Sequence, residues 1–124
     1  CYSVEKKDVY RQDNVFSAAV RYMSNHIGNM LTLSDIATSV GVSVSTLKKA
    51  FARESGGGVN EYFIRMKLKR GEYFLCNTDM SVGEIAEMLG YSSQFYFSEL
   101  FKSRYGVSPH AYRKQQEKLR LEMV

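Results

Sequence analysis

A ten-residue pattern occurs twice in this chain. TLSDIATSVG at 32–41 matches SVGEIAEMLG at 81–90, an offset of 49 that takes position 32 to 81. Thr32 falls on Ser81, Asp35 on Glu84, Ile36 and Ala37 on Ile85 and Ala86, and Gly41 on Gly90. Beyond each glycine the offset becomes 50: Leu47 meets Phe97, Phe51 meets Phe101, Gly56 meets Gly106 and Tyr62 meets Tyr112. A repeat of this period means that one supersecondary unit has been built twice. Each copy opens with a Ser or Thr three residues before an acid, the capping box that satisfies helix-end donors reciprocally. Each first helix then stops at a glycine, the residue that tolerates the left-handed conformation of a tight turn. A second helix and a closing glycine follow. The pattern is a helix-turn-helix, twice, with one extra residue in the second turn.

The rest of the chain fits an all-α fold. Alternating strand patterns and hairpin turn dipeptides are scarce, and there is one proline. In NVFSAAVRYMSNHI the apolar residues Val15, Ala19, Tyr22, Met23 and Ile27 follow the helical period, with Asn14 as a cap. The first helix-turn-helix covers about 32–55 and the second about 81–105. A long linker helix at about 59–76 joins them. On it Tyr62, Met66, Tyr73 and Phe74 are expected to share the buried face, with Arg65, Lys67, Lys69 and Arg70 on the others. Gly71 in its middle costs about 1 kcal/mol of helix propensity against Ala. Ser108 and Pro109 start a last helix at about 109–121, expected to close the core through Tyr112 and Leu119. Residues 1–13 read as a tail or linker from an upstream region. The first residue is Cys rather than Met, which suits a piece of a longer protein.

Residues 14–118 resemble the DNA-binding domain of the AraC/XylS family of bacterial transcription regulators. The resemblance rests most on Ile85-Ala86, Gly90-Tyr91, Tyr96-Phe97, Phe101-Lys102 and the run from Gly106 through Pro109 to Arg113. It implies about seven helices, with the linker helix holding both units against one side of a duplex. It also implies double-stranded DNA and RNA polymerase as partners, activation as the commonest outcome, and no cofactor. Two positions depart from the family pattern. Lys67 stands where Arg is usual, and Gly71 where Ala is usual, which predicts a softer linker helix.

The repeat sorts the second helix of each unit into faces. Phe97, Leu100 and Phe101 align with Leu47, Ala50 and Phe51, the spacing of a core-facing stripe. Phe95 and Tyr96 align with Ser45 and Thr46, which puts them outward in the first turn. A recognition helix reads the major groove from its N-terminal turns. The expected readers span about 44–54 and 93–105. Ser45, Thr46, Lys48 and Lys49 face bases in the first, lysine suiting guanine O6 and N7. In the second, Gln94 suits adenine, Glu99 accepts from cytosine N4, and Phe95 and Tyr96 pack on thymine methyls. By the resemblance these are positions at which family members touch bases. Backbone contacts fall to Ser43, Arg53, Lys102, Arg113 and Lys114 and to helix N-termini. The bland alternatives are specific too: Glu99 pairs with Lys102 or Arg104, Phe95 packs on a neighbouring helix, and the lysines are merely solvated.

Seventeen Lys and Arg against thirteen Asp and Glu give a net charge of +4, which permits a polyanionic partner without requiring one. No run of about 18 apolar residues exists to span a membrane. Cys1 and Cys76 show neither metal spacing nor a disulfide framework, as in a reducing cytoplasm. His26 and His110 lack triad or metal partners in sequence, so an enzyme is not expected. Ser55-Gly-Gly-Gly58 follows a helix and lacks the Gly-Lys ending of a phosphate loop, so it reads as a corner. The remaining rival is a helix-turn-helix used for protein contact. The piece itself is expected to be monomeric, with any dimerisation lying in a missing domain.

Overall fold

A computed structural model describes residues 15–123. It holds seven helices, and no strand occurs among the described residues. Helix α1 covers residues 15–25. Then come α2 (Leu33–Ser39), α3 (Val44–Ser55), α4 (Val59–Asn77), α5 (Val82–Met88), α6 (Gln94–Tyr105) and α7 (Pro109–Met123). None of them is long and apolar enough to cross a membrane. The expected Asn14 cap and the 1–13 tail lie outside the described residues.

The duplication is visible in the backbone. Both α2 and α5 carry full capping boxes. Thr32 N–H donates to Asp35 Oδ2 at 3.0 Å while Asp35 N–H donates to Thr32 Oγ1 at 3.0 Å. Ser81 and Glu84 repeat the exchange at 3.1 and 3.1 Å. These bonds to the ionised form hold both carboxyls below their ordinary values, the N-cap backbone N–H being the main cause in each. Helices α3 and α6, each 12 residues long, start at Ser43 and Ser93 and stop at Gly56 and Gly106. Those two glycines and the turn glycines Gly41 and Gly90 have φ between 74° and 82°, so all four repeat-related glycines are left-handed. Four residues separate α2 from α3 and five separate α5 from α6, the added residue being Ser92.

The chain divides into two compact units. One runs to His26 and takes up Met30–Arg65, while the other takes Ile27–Asn29 and everything from Met66. Helix α4 supplies its first turns to the former and its remainder to the latter. In the first unit Ala19, Met23, Ile36, Leu47 and Phe51 are fully buried, with Ala37, Ala50, Val59 and Phe63 nearly so. Phe16, Phe51 and Tyr62 meet edge-on, with centroids 4.8, 5.5 and 5.4 Å apart. Val40 and Val42 are only half-buried. In the second unit Ile85, Leu89, Phe97 and Phe101 are fully buried. Phe101 stacks on Tyr105 at 4.2 Å and meets Tyr112 edge-on at 5.4 Å. Burying a phenyl ring of this size stabilises a fold by about 1.5–3 kcal/mol.

Helix α4 departs from the expected orientation. Phe63, Lys67, Leu68, Gly71 and Leu75 point inward, whereas Tyr73 is exposed and Tyr62, Met66 and Phe74 are half-buried. Its sequence carries apolar side chains on every side, so period alone selects no face. Gly71 is part of the correction. A Cβ there would lie 3.0 Å from the Phe97 ring and 3.2 Å from Leu89 Cδ1, so its absence admits the ring. Leu119 on α7 is exposed instead of closing the core, and that task falls to Tyr112. The Tyr112 hydroxyl donates to the Glu72 carboxylate.

Candidate nucleic-acid interface

The first turn of each second helix is built by its serine cap. Ser43 Oγ accepts from Thr46 N–H at 3.1 Å, and Ser93 Oγ accepts from Tyr96 N–H at 3.1 Å. Each cap satisfies one of the donors a helix start leaves open and aims the remaining N–H groups outward. Ser43 also donates its hydroxyl proton to Thr46 Oγ1 at 3.0 Å, which fixes the Thr46 side chain.

On α3 the residues Ser45, Thr46, Lys48, Lys49 and Arg53 are all exposed along one side, opposite buried Leu47, Ala50 and Phe51. Arg53 Nε lies 3.7 Å from Glu54 Oε1, a surface pair that holds it weakly. On α6 Gln94, Phe95, Tyr96, Glu99 and Lys102 are exposed opposite Phe97 and Phe101, with Leu100 half-buried. Phe95 is 74% and Tyr96 57% exposed, so neither is absorbed by a neighbouring helix. The Gln94 amide oxygen rests against Gly83, where a Cβ would approach it to 3.0 Å. Glu99 is exposed on this face, three residues before exposed Lys102. Lys114 is exposed on α7.

Arg113 has a different occupation from the phosphate contact expected of it. It is half-buried, and its Nε donates to Leu75 O at 3.0 Å. Its Nη2 donates to Thr78 O at 3.2 Å and Phe74 O at 3.4 Å. With Arg120 Nη2 on Cys76 O at 2.8 Å, it satisfies carbonyls that the end of α4 leaves unpaired. A guanidinium spent in this way is a clamp between α7 and α4.

The sequence also concealed residues behind the interface. Lys67 is buried at 7% exposure and donates to Leu89 O at 2.8 Å and Asn29 O at 3.3 Å. Its ammonium lies 5.2 Å from the centre of the Tyr91 ring, and burial pushes its pKa down. Tyr91 is pushed up to about 12, first by burial and then by neighbouring Tyr96. Only the departure of Lys67 from the family pattern hinted at that position. His26 bonds through its ring Nδ1 with Tyr22 O at 2.8 Å, a local contact at a helix end.

The family model of a helix-turn-helix domain matches residues 36–115. Over 103 residues the chain is 35% identical to the regulatory protein PocR of Salmonella typhimurium, a match covering 83% of this chain and 34% of PocR. A crystal structure of an AraC-type regulator from Chromobacterium violaceum superposes with a TM-score of 0.79 at 29% identity, covering 84% of this chain and 93% of that one. The DNA-binding domain of AdpA, solved with a target DNA, shares the fold with a TM-score of 0.78 at 23% identity, covering 85% and 95%. The chain spans between about a quarter and about a third of the length of the curated relatives it matches, 34% in PocR and 24% in the xylose operon regulatory protein of Escherichia coli. The paired, serine-capped helix-turn-helix units and these matches together place the chain in the AraC/XylS family of transcription regulators, as its DNA-binding helix-turn-helix domain.

Proposed function

We propose that this chain reads an asymmetric duplex site composed of two unlike boxes, with α3 in one major groove and α6 in the next, about one helical turn away. One observation carries the reading: two serine-capped helices of 12 residues expose chemically different first turns at equivalent positions. Ser45, Thr46, Lys48 and Lys49 read the first box, the lysines taking guanine acceptors. Gln94, Phe95, Tyr96 and Glu99 read the second, with Glu99 accepting from cytosine and the aromatic pair against thymine methyls. Ser43, Arg53, Lys102 and Lys114 hold phosphates, sequence-independently. Arg113 leaves that set because its guanidinium is engaged at α4. The whole protein is a cytoplasmic regulator, most simply an activator that also touches RNA polymerase, and this piece of it binds as a monomer.

Selection of the chain against random duplexes, sequenced after rounds at two salt concentrations, tests the reading. Two unlike boxes about ten base pairs apart support it, with affinity falling log-linearly as salt rises. A single box would make α6 a clamp or a partner surface. No enrichment at low salt would give the domain to protein contact instead.

A further inference from the structure

Among the described residues Lys67 is the only charged side chain that is buried. A cation taken out of water is costly unless polar groups replace its hydration. Here Leu89 O, Asn29 O and the Tyr91 ring face do so. Leu89 is the C-cap of α5, and Tyr91 lies two residues farther on, so the ammonium grips both sides of the Gly90 turn. That turn has no slack. A Cβ on Gly90 would sit 2.4 Å from Gly28 O, and one on Gly28 would sit 2.6 Å from Met88 O.

Contacts continue from the turn to the candidate DNA surface. The Tyr91 ring lies 5.6 Å from Phe97, which is fully buried, and 5.6 Å from Tyr96, which is exposed on the first turn of α6. The first unit has no such device at the corresponding place. At the repeat offset of 49, Lys67 falls on Ala18. We infer that Lys67 is a positioning residue for DNA reading by the second unit: it fixes the turn before α6 and, through the Tyr91 ring, the stance of Tyr96. The inference rests on the reading that α6 touches bases. Packing alone would not replace Lys67, because an apolar side chain of equal length fills the volume but directs no carbonyl.

The test uses this 124-residue chain and the duplex selected by it, with base substitutions placed in one box at a time. Lys67→Met is expected to lower discrimination in the second box about tenfold, the size of one good base contact, and to leave the first box unchanged. Lys67→Arg should restore most of the loss, since it keeps a donor at that depth. Tyr91→Leu, which removes the platform but no charge, should reproduce the Lys67→Met effect. Far-UV circular dichroism and chemical denaturation must show the second unit of each variant folded, and a second-box loss that appears only where that unit has unfolded would overturn the inference. Full second-box discrimination in both Lys67→Met and Tyr91→Leu would overturn the inference. So would an equal loss in both boxes, which marks a general folding role. A wild-type chain that reads no second box would overturn the parent reading, and this inference with it.

Discussion

The two units share a frame and differ in what fills it. Thr32 and Ser81, Ser43 and Ser93, Gly41 and Gly90, and Gly56 and Gly106 make the same caps and turns. Behind those caps the first unit closes with an apolar trio of rings, Phe16, Phe51 and Tyr62. The second adds polar clamps: Lys67 on Leu89 O, Tyr112 on Glu72, and Arg113 on the end of α4. Where Arg113 stands, the first unit has buried Phe63 at the offset of 50. The outer faces diverge in the same way, lysine-rich on α3 and aromatic on α6. Duplication thus preserves the groups that set backbone direction, while side chains that face outward or tie helices together are free to change.

The largest test of that comparison removes the ring common to both cores. Phe101→Ala should cost about 3–5 kcal/mol, as deletions of buried phenyl rings do, and Phe51→Ala a similar amount. Chemical denaturation measures both. Binding to duplexes with one box altered should show that Phe101→Ala harms the second box first and Phe51→Ala the first. Equal damage to both boxes by either variant would mean that the units do not read independently.

Next come the outward residues. Lys49→Ala should relax base preference in the first box by about 1–3 kcal/mol at one position, and Glu99→Ala should do so at a cytosine in the second. Competition binding with single-base variants reads both. If Glu99→Ala tightens binding to every sequence alike, the carboxylate only repels phosphate.

Arg113 separates a clamp from a phosphate contact. Arg113→Ala should lower stability by about 1–2 kcal/mol, through loss of charged hydrogen bonds to carbonyls. It should leave the slope of log affinity against log salt unchanged. Lys102→Ala should do the reverse, reducing that slope by about one while stability stays constant. A flatter salt slope in Arg113→Ala would return it to the DNA surface.

The smallest effect is in acid. Asp35 and Glu84 have folded pKa values below their ordinary 3.8 and 4.5, so their caps stabilise the fold above those values. That contribution is lost as pH falls through the lowered folded values. Thermal melts from pH 6 to pH 3 should show less acid sensitivity in the double variant Asp35→Asn, Glu84→Gln than in the parent. Matching sensitivity would remove the capping carboxylates as its source.

Most of the fold was legible because its signals are local. A capping box, a left-handed glycine and a core stripe act within four residues of themselves, so a chain read in order displays them, and the repeat displays them twice. The outward placement of Phe95 and Tyr96 followed because alignment with Ser45 and Thr46 named their face. The face of α4 did not follow. Apolar residues surround that helix, and which of them turn inward depends on where Phe97 and Leu89 arrive from far along the chain. The same holds for the side chains that changed role. Lys67 and Arg113 read as surface cations, since no short-range pattern shows that Leu89 O and Leu75 O will lie within their reach. Sequence alone determined the two helix-turn-helix units and the outward residues of α3 and α6, through backbone-level chemistry. Tertiary packing alone decided which cations face solvent and which hold the helices together, because a backbone carbonyl becomes a partner only once the chain has folded around it.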